Sequence, residues 1–202
     1  MRKAIVSVLL GKYDTPKKAP HYSGWDYYLF TDQDVDKFLG WKIIKVETKD
    51  PKKDSRYYKW MTHETLPNYD LVCYMDASMT LRREPVESEV WFKHPVRNNV
   101  VDEGKRILLY YPELKDIIDK QLAFYERQRF KDNYGLFQNG FFIREHNPEA
   151  NKLCEKVYKT IKKYCYRDQL ALPFALYKTK YKMSGVLEGS KFHLWANVAR
   201  HL

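Results

Sequence analysis

Residues able to do chemistry gather at three places, each directly after an apolar run. Lys12, Tyr13 and Asp14 follow Ala4 to Leu10, Asp32 follows Tyr27 to Thr31, and Asp76 with Ser78 follows Leu71 to Met75. Apolar runs rich in branched residues are the pattern of strands covered on both faces. In open α/β sheets ligands bind beyond the carboxyl ends of such strands. Carboxylates, a cation and a ring converging there suit a nucleotide, with hydrogen-bond partners for base and ribose and with cations and a metal for phosphates. Polar residues also end strands for turn chemistry alone, so the weight lies in their convergence.

A second cluster is cationic. Arg56, Lys59 and His63 stand at i, i+3 and i+7 and would line one helical face. That stripe suits a diphosphate, although a solvated basic face has the same pattern. Asp54 and Ser55 read as N-caps of its helix, which runs to about Leu66 and stops at Pro67-Asn68.

The remaining elements must position these groups. Trp41 to Val46 reads as a third strand and Phe141 to Arg144 as a late one. Glu113 to Gln128 puts Leu114, Ile117, Ile118, Leu122 and Tyr125 on one helical face, and a helix from Pro148 turns Leu153, Val157 and Ile161 inward, with Cys154 in the core. Strands alternating with helices predict an α/β layer architecture with a mainly parallel sheet. With 202 residues and no linker or repeat, the expectation is one domain over residues 1–202.

Composition narrows the chemistry. Net charge is +10, which raises the potential toward anions, though a lysine-rich solvated surface accounts for it equally. Three cysteines without C-x-x-C spacing fit buried thiols in a reducing, cytoplasmic setting. No stretch approaches the roughly 20 apolar residues of a membrane span, so no integral membrane association is expected. The short run after Met1-Arg2-Lys3 reads as the first strand rather than a signal peptide. Phosphate-loop, dinucleotide-fingerprint and nucleophile-elbow motifs are absent, and Pro67 interrupts the H-E-x-x-H pattern begun at His63-Glu64.

Several ordered segments resemble GT-A-fold glycosyltransferases. They are Gly11-Lys12-Tyr13-Asp14, Phe30-Thr31-Asp32-Gln33-Asp34, the run from Arg56 to His63, Leu66 to Asp70, Val72 to Ser78, and His94-Pro95-Val96-Arg97. Phe142 to Asn147 and Arg167-Asp168-Gln169-Leu170 follow. The nearest likeness is to the family named for plant mucilage-type glycosyltransferase and alkaline-ceramidase-like members, formerly known only as a domain of unknown function. The resemblance implies a single Rossmann-like GT-A domain with a D-x-D-type motif whose carboxylates hold Mn²⁺ or Mg²⁺ on the donor diphosphate. Asp76 occupies the matching position, while Ser78 replaces the second acid.

Similarity to glycogenin-like enzymes implies further roles. His193 would be a third metal ligand and Lys59 a donor-phosphate contact. Asn139 and Gly140 would line the sugar pocket, and Asp168 with Gln169 would contact the sugar or act on the acceptor hydroxyl. A carboxylate at a helix start also reads as a cap. His94 and Arg97 are candidates for acceptor or phosphate contacts. The expected activity is transfer from a nucleotide-sugar to a hydroxyl acceptor, either a glycan or hydroxylated bases of DNA. Interleaved Lys, Arg and Tyr between Tyr158 and Lys182 could form a DNA-facing surface. The alternative is a non-catalytic nucleotide- or nucleic-acid-binding module on a degenerate transferase scaffold.

Overall fold

The computed structural model describes residues 1–12 and 15–198. The chain runs β1 (Lys3–Leu9), β2 (Trp25–Thr31), β3 (Lys42–Lys45), α1 (Pro51–Trp60), α2 (Thr62–Thr65), β4 (Leu71–Met75), β5 (Met79–Leu81) and β6 (Trp91–Phe92). It continues through α3 (Val100–Leu108), α4 (Lys115–Arg127), β7 (Phe141–Glu145), α5 (Pro148–Lys163), α6 (Asp168–Thr179), β8 (Val186–Leu187) and β9 (Ala196–Val198).

The central sheet has the order β3-β2-β1-β4-β7. The first four strands are mutually parallel where they pair, and β7 closes the edge antiparallel to β4. Side-chain alternation divides the core. Ala4, Val6 and Val8 of β1 join Val72, Tyr74, Phe142 and the inner faces of α1, α5 and α6, whereas Ile5 and Leu9 join Cys73, Met75, Phe141, Phe192 and Trp195. A third cluster under α3 and α4 meets α6 through Leu170 and Phe174. Helix α6 is therefore apolar on two sides. The architecture is the expected α/β sheet flanked by helices, and all three cysteines are buried free thiols. No helix among the described residues is long and apolar enough to cross a membrane.

Three helix boundaries differ from expectation. Helix α1 starts at Pro51, capped by Asp50, whose side chain accepts from Lys53 N. Proline at the first helical position loses no hydrogen bond there. Asp54 instead reaches back, its Oδ2 accepting from Lys49 N at 3.0 Å, Asp50 N at 3.1 Å and the Thr48 hydroxyl at 2.7 Å. This reciprocal arrangement pins the loop before the helix. The helix ends at Trp60 rather than near Leu66, because Met61 leaves helical geometry (φ −100°, ψ 32°) before the short α2. Helix α4 begins at Lys115, after a 3-10 turn over Pro112–Leu114. The short strands β5, β6, β8 and β9, and helix α3, were not expected.

The α1–α2 break is held by Arg144, which is 1 % exposed. Its Nη2 donates to Trp60 O at 3.2 Å and to Thr62 Oγ1 at 2.6 Å, and its Nη1 donates to Asn151 Oδ1 at 3.2 Å. His63 and His146 face this cation. Burial first, then Arg144, lowers both imidazoles, His146 to about 3. A depressed histidine stabilises the fold above its unfolded pKa near 6.5, and that contribution drains away as pH falls below it. Going from pH 7.5 to 4.5, His146→Gln is expected to lose roughly 2 kcal/mol less stability than wild type, as read by chemical denaturation at both pH values.

Candidate active site

Strands β2 and β4 lie on opposite sides of β1, so the chain reverses its strand order there. Crevices at such switch points are where α/β sheets bind ligands. A cavity of about 710 Å³ opens at this place. It is lined by the end of β1 (Val8 to Gly11), the turn Asp76-Ala77-Ser78 after β4, the stretch Lys49, Asp50, Lys52, Ser55 and Arg56, and by Tyr111, Tyr166 and Arg167. Gly11 makes the junction possible: its φ is +79°, and a Cβ there would stand 2.7 Å from Pro51 Cβ.

Beneath the cavity a polar chain crosses the core. Tyr74 donates its hydroxyl to Asp76 Oδ1 at 2.8 Å. Lys59 Nζ sits 4.7 Å from the centre of the Tyr74 ring and pairs with Asp168 Oδ2 at 2.7 Å. Trp60 Nε1 donates to the same Oδ2 at 3.2 Å. Lys59 and Asp168 are 3 % and 2 % exposed. Burial opposes charge on Asp168, but Lys59 and Arg56 outweigh it and hold the carboxyl well below the usual carboxylate range. Burial pulls Lys59 below its usual value while Asp168 and Asp76 favour its charge. A carboxylate so strongly stabilised as the anion is a poor general base near neutral pH. Nor does it cap its helix, since no side chain caps α6. Asp168 therefore anchors the start of α6 to the end of α1.

The expected site residues divide accordingly. Asp76, Ser78 and Arg56 share the cavity. Gly140 backs Asp76: its carbonyl accepts from Asp76 N at 2.8 Å, and a Cβ on it would lie 2.9 Å from Asp76 Oδ2. Asn139 is 1 % exposed, and both polar atoms of its amide are buried without a hydrogen-bond partner. Lys59 is close to Asp76, as expected, but is committed to Asp168 below the cavity. Gln169 follows on α6 without lining the cavity. Asp32 accepts from Gly11 N at 3.1 Å and borders an adjoining groove with Tyr57, Tyr58 and Tyr158. Lys12 stands exposed in a left-handed turn (φ 56°) after Gly11, and Tyr13 and Asp14 lie outside the described residues.

Other candidates lie elsewhere. His63 turns to Arg144 because α1 ends before it. His94 and Arg97 serve each other: His94 Nδ1 accepts from Arg97 N at 3.0 Å, and Arg97 Nε pairs with Glu103. Neither lines the cavity. His193 is exposed, its Nδ1 lies 2.7 Å from Ser190 O, and it does not line the cavity either. Among the described residues no group of three His, Cys, Asp or Glu side chains could enclose a metal ion. Of the three expected metal ligands, Asp76 and Ser78 line the cavity. That sparse set fits Mg²⁺ or Mn²⁺ only alongside substrate phosphates and water, the manner in which Mg²⁺ is commonly held. Tyr111, Tyr166 and Arg167 were missed as wall residues. Arg167 adjoins Asp168 in the motif, whereas Tyr111 lies between an unexpected helix, α3, and the 3-10 turn at Pro112–Leu114.

The α/β sheet, mainly parallel and flanked by helices, defines a Rossmann-like class. Residues 28–200 match the family TOD1/MUCI70, glycosyltransferase-like domain, and the chain belongs to that family. No curated protein matches the chain.

Breaking the buried pair from one side leaves an uncompensated charge, which costs about 3–5 kcal/mol. Lys59→Met is expected to destabilise by that amount in urea denaturation, and the double variant Lys59→Met/Asp168→Asn to recover part of it.

Proposed function

We propose that the chain transfers a sugar from a nucleoside diphosphate-sugar to a hydroxyl acceptor, with the diphosphate in the Asp76 cavity. One observation carries this reading: Asp76, at the carboxyl end of a central strand, shares a switch-point cavity with Arg56 and Lys52 in a chain of a glycosyltransferase-like family. Asp76 and Ser78 would hold Mg²⁺ or Mn²⁺ together with the phosphates. Such an ion, when bound, neutralises charge developing on the leaving diphosphate. Arg56 adds a fixed cation, and the buried Lys59–Asp168 pair beneath keeps the wall rigid. Asn139 and Gly140, behind Asp76, border the place for the donor sugar. His193 is not needed in this donor set.

For the acceptor, the expected classes are a glycan and hydroxylated bases of DNA. One feature favours a polyanion: Lys156 is lowered by burial first and then by neighbouring Lys178 and Lys159, so cations crowd the α5–α6 surface. Salt-dependent filter binding to duplex DNA tests this; little affinity at low salt leaves the glycan.

Nucleoside diphosphates with Mn²⁺ are expected to raise the melting temperature, because a ligand bound to the native state stabilises it. Asp76→Ala is expected to keep the fold and slow donor hydrolysis or transfer about 100-fold or more. A wild-type rate in that variant would contradict the assignment, and turnover of any nucleotide-sugar by the native chain would exclude a merely binding module.

A further inference from the structure

Arginine presents five N–H donors and cannot shed its charge at physiological pH, so a buried guanidinium without partners is costly. Arg167 is half-buried and only part of its guanidinium is out of solvent. Its Nε is buried without a hydrogen-bond partner, and its guanidinium makes no ion pair among the described residues. Its contact is the ring of Tyr111, 5.6 Å from the guanidinium carbon. Both side chains line the switch-point cavity. The adjacent carboxylate, Asp168, is consumed by Lys59 and Trp60. One oxygen of Asp76 is likewise taken by Tyr74.

The other arginine of the lining is committed. Arg56 donates from Nε to Tyr166 O at 3.3 Å and lies near enough to Asp168 to lower its pKa. It is a cation already tied to the protein, whereas the donors of Arg167 remain unspent.

We propose that Arg167 is a phosphate-binding residue, its guanidinium closing on the diphosphate of the donor together with Arg56, with Tyr111 holding the side chain in place. This rests on the reading of the cavity as the donor site and adds the group that grips the leaving diphosphate. The task expected of Lys59, a cation toward phosphate, thereby falls to Arg167, since Lys59 is neutralised in the core. A planar fork suits phosphate oxygens through paired hydrogen bonds, which an ammonium group does not reproduce.

The test is calorimetric titration of the wild-type chain, Arg167→Gln, Arg167→Lys and Arg106→Gln. The ligands are inorganic pyrophosphate with Mg²⁺, then UDP, GDP, ADP and CDP. Wild type is expected to bind pyrophosphate and at least one nucleotide. Arg167→Gln is expected to weaken both about 10–100-fold. Arg167→Lys should fall between, since it keeps the charge and loses the fork. Arg106→Gln, a surface cation over Tyr110 outside the cavity lining, should match wild type. Undiminished pyrophosphate affinity in a folded Arg167→Gln or Arg167→Lys chain overturns the role of Arg167 and leaves the donor site standing. Wild type that binds neither pyrophosphate nor any nucleotide overturns the donor site itself, and the role of Arg167 with it.

Discussion

The ion pair between Lys59 and Asp168 is the constraint on which the site depends. Two charges brought to 3 % and 2 % exposure lose their hydration, and their mutual attraction repays that cost only with close geometry and further hydrogen bonds. Here Trp60 Nε1 and the Tyr74 ring provide the added contacts. The consequence is positional. Residues 109 apart in the chain fix the end of α1 against the start of α6, and so fix Arg56 and Arg167 in the lining of the Asp76 cavity.

Above that anchor, charge is distributed unevenly. The cavity lining from Lys49 to Arg56 is cationic, whereas the turn after β4 carries Asp76, with one oxygen bound to the Tyr74 hydroxyl. A diphosphate with a divalent ion balances such a surface, because phosphates answer the cations and the ion answers the carboxylate. Gly140 contributes by absence: any side chain there would press on the Asp76 carboxylate. The match to the TOD1/MUCI70 glycosyltransferase-like domain gives this electrostatic pattern its chemical context.

Much of this was legible in the residues. Branched apolar runs mark β1, β2 and β4, and Asp76 and Ser78 after β4 line the crevice at the end of β1. The nearness of Asp76 to Lys59 followed from a helix placed just before the strand. What periodicity could not show was that Lys59 points inward to a partner on α6, since helical spacing places residues on a face without saying what covers it. His63 left the stripe because Met61 breaks the helix, a turn set by the tertiary bonds of Arg144 to Trp60 and Thr62. The true helix start at Asp50-Pro51 competed with Asp54-Ser55, two equally good capping residues. Strands such as β6 and β8, two residues each, are too short for alternation to register.

The central claim is that one metal–diphosphate complex sits over Asp76 at the β1–β4 switch point. Its most direct measurement is paramagnetic broadening of amide resonances by Mn²⁺ together with a nucleoside diphosphate. The account predicts broadening centred on Asp76 to Ser78 and reaching Gly140 and Ser55-Arg56, with His193 and the His94–Arg97 turn unaffected. Broadening centred on His193, or none that depends on the nucleotide, would contradict it.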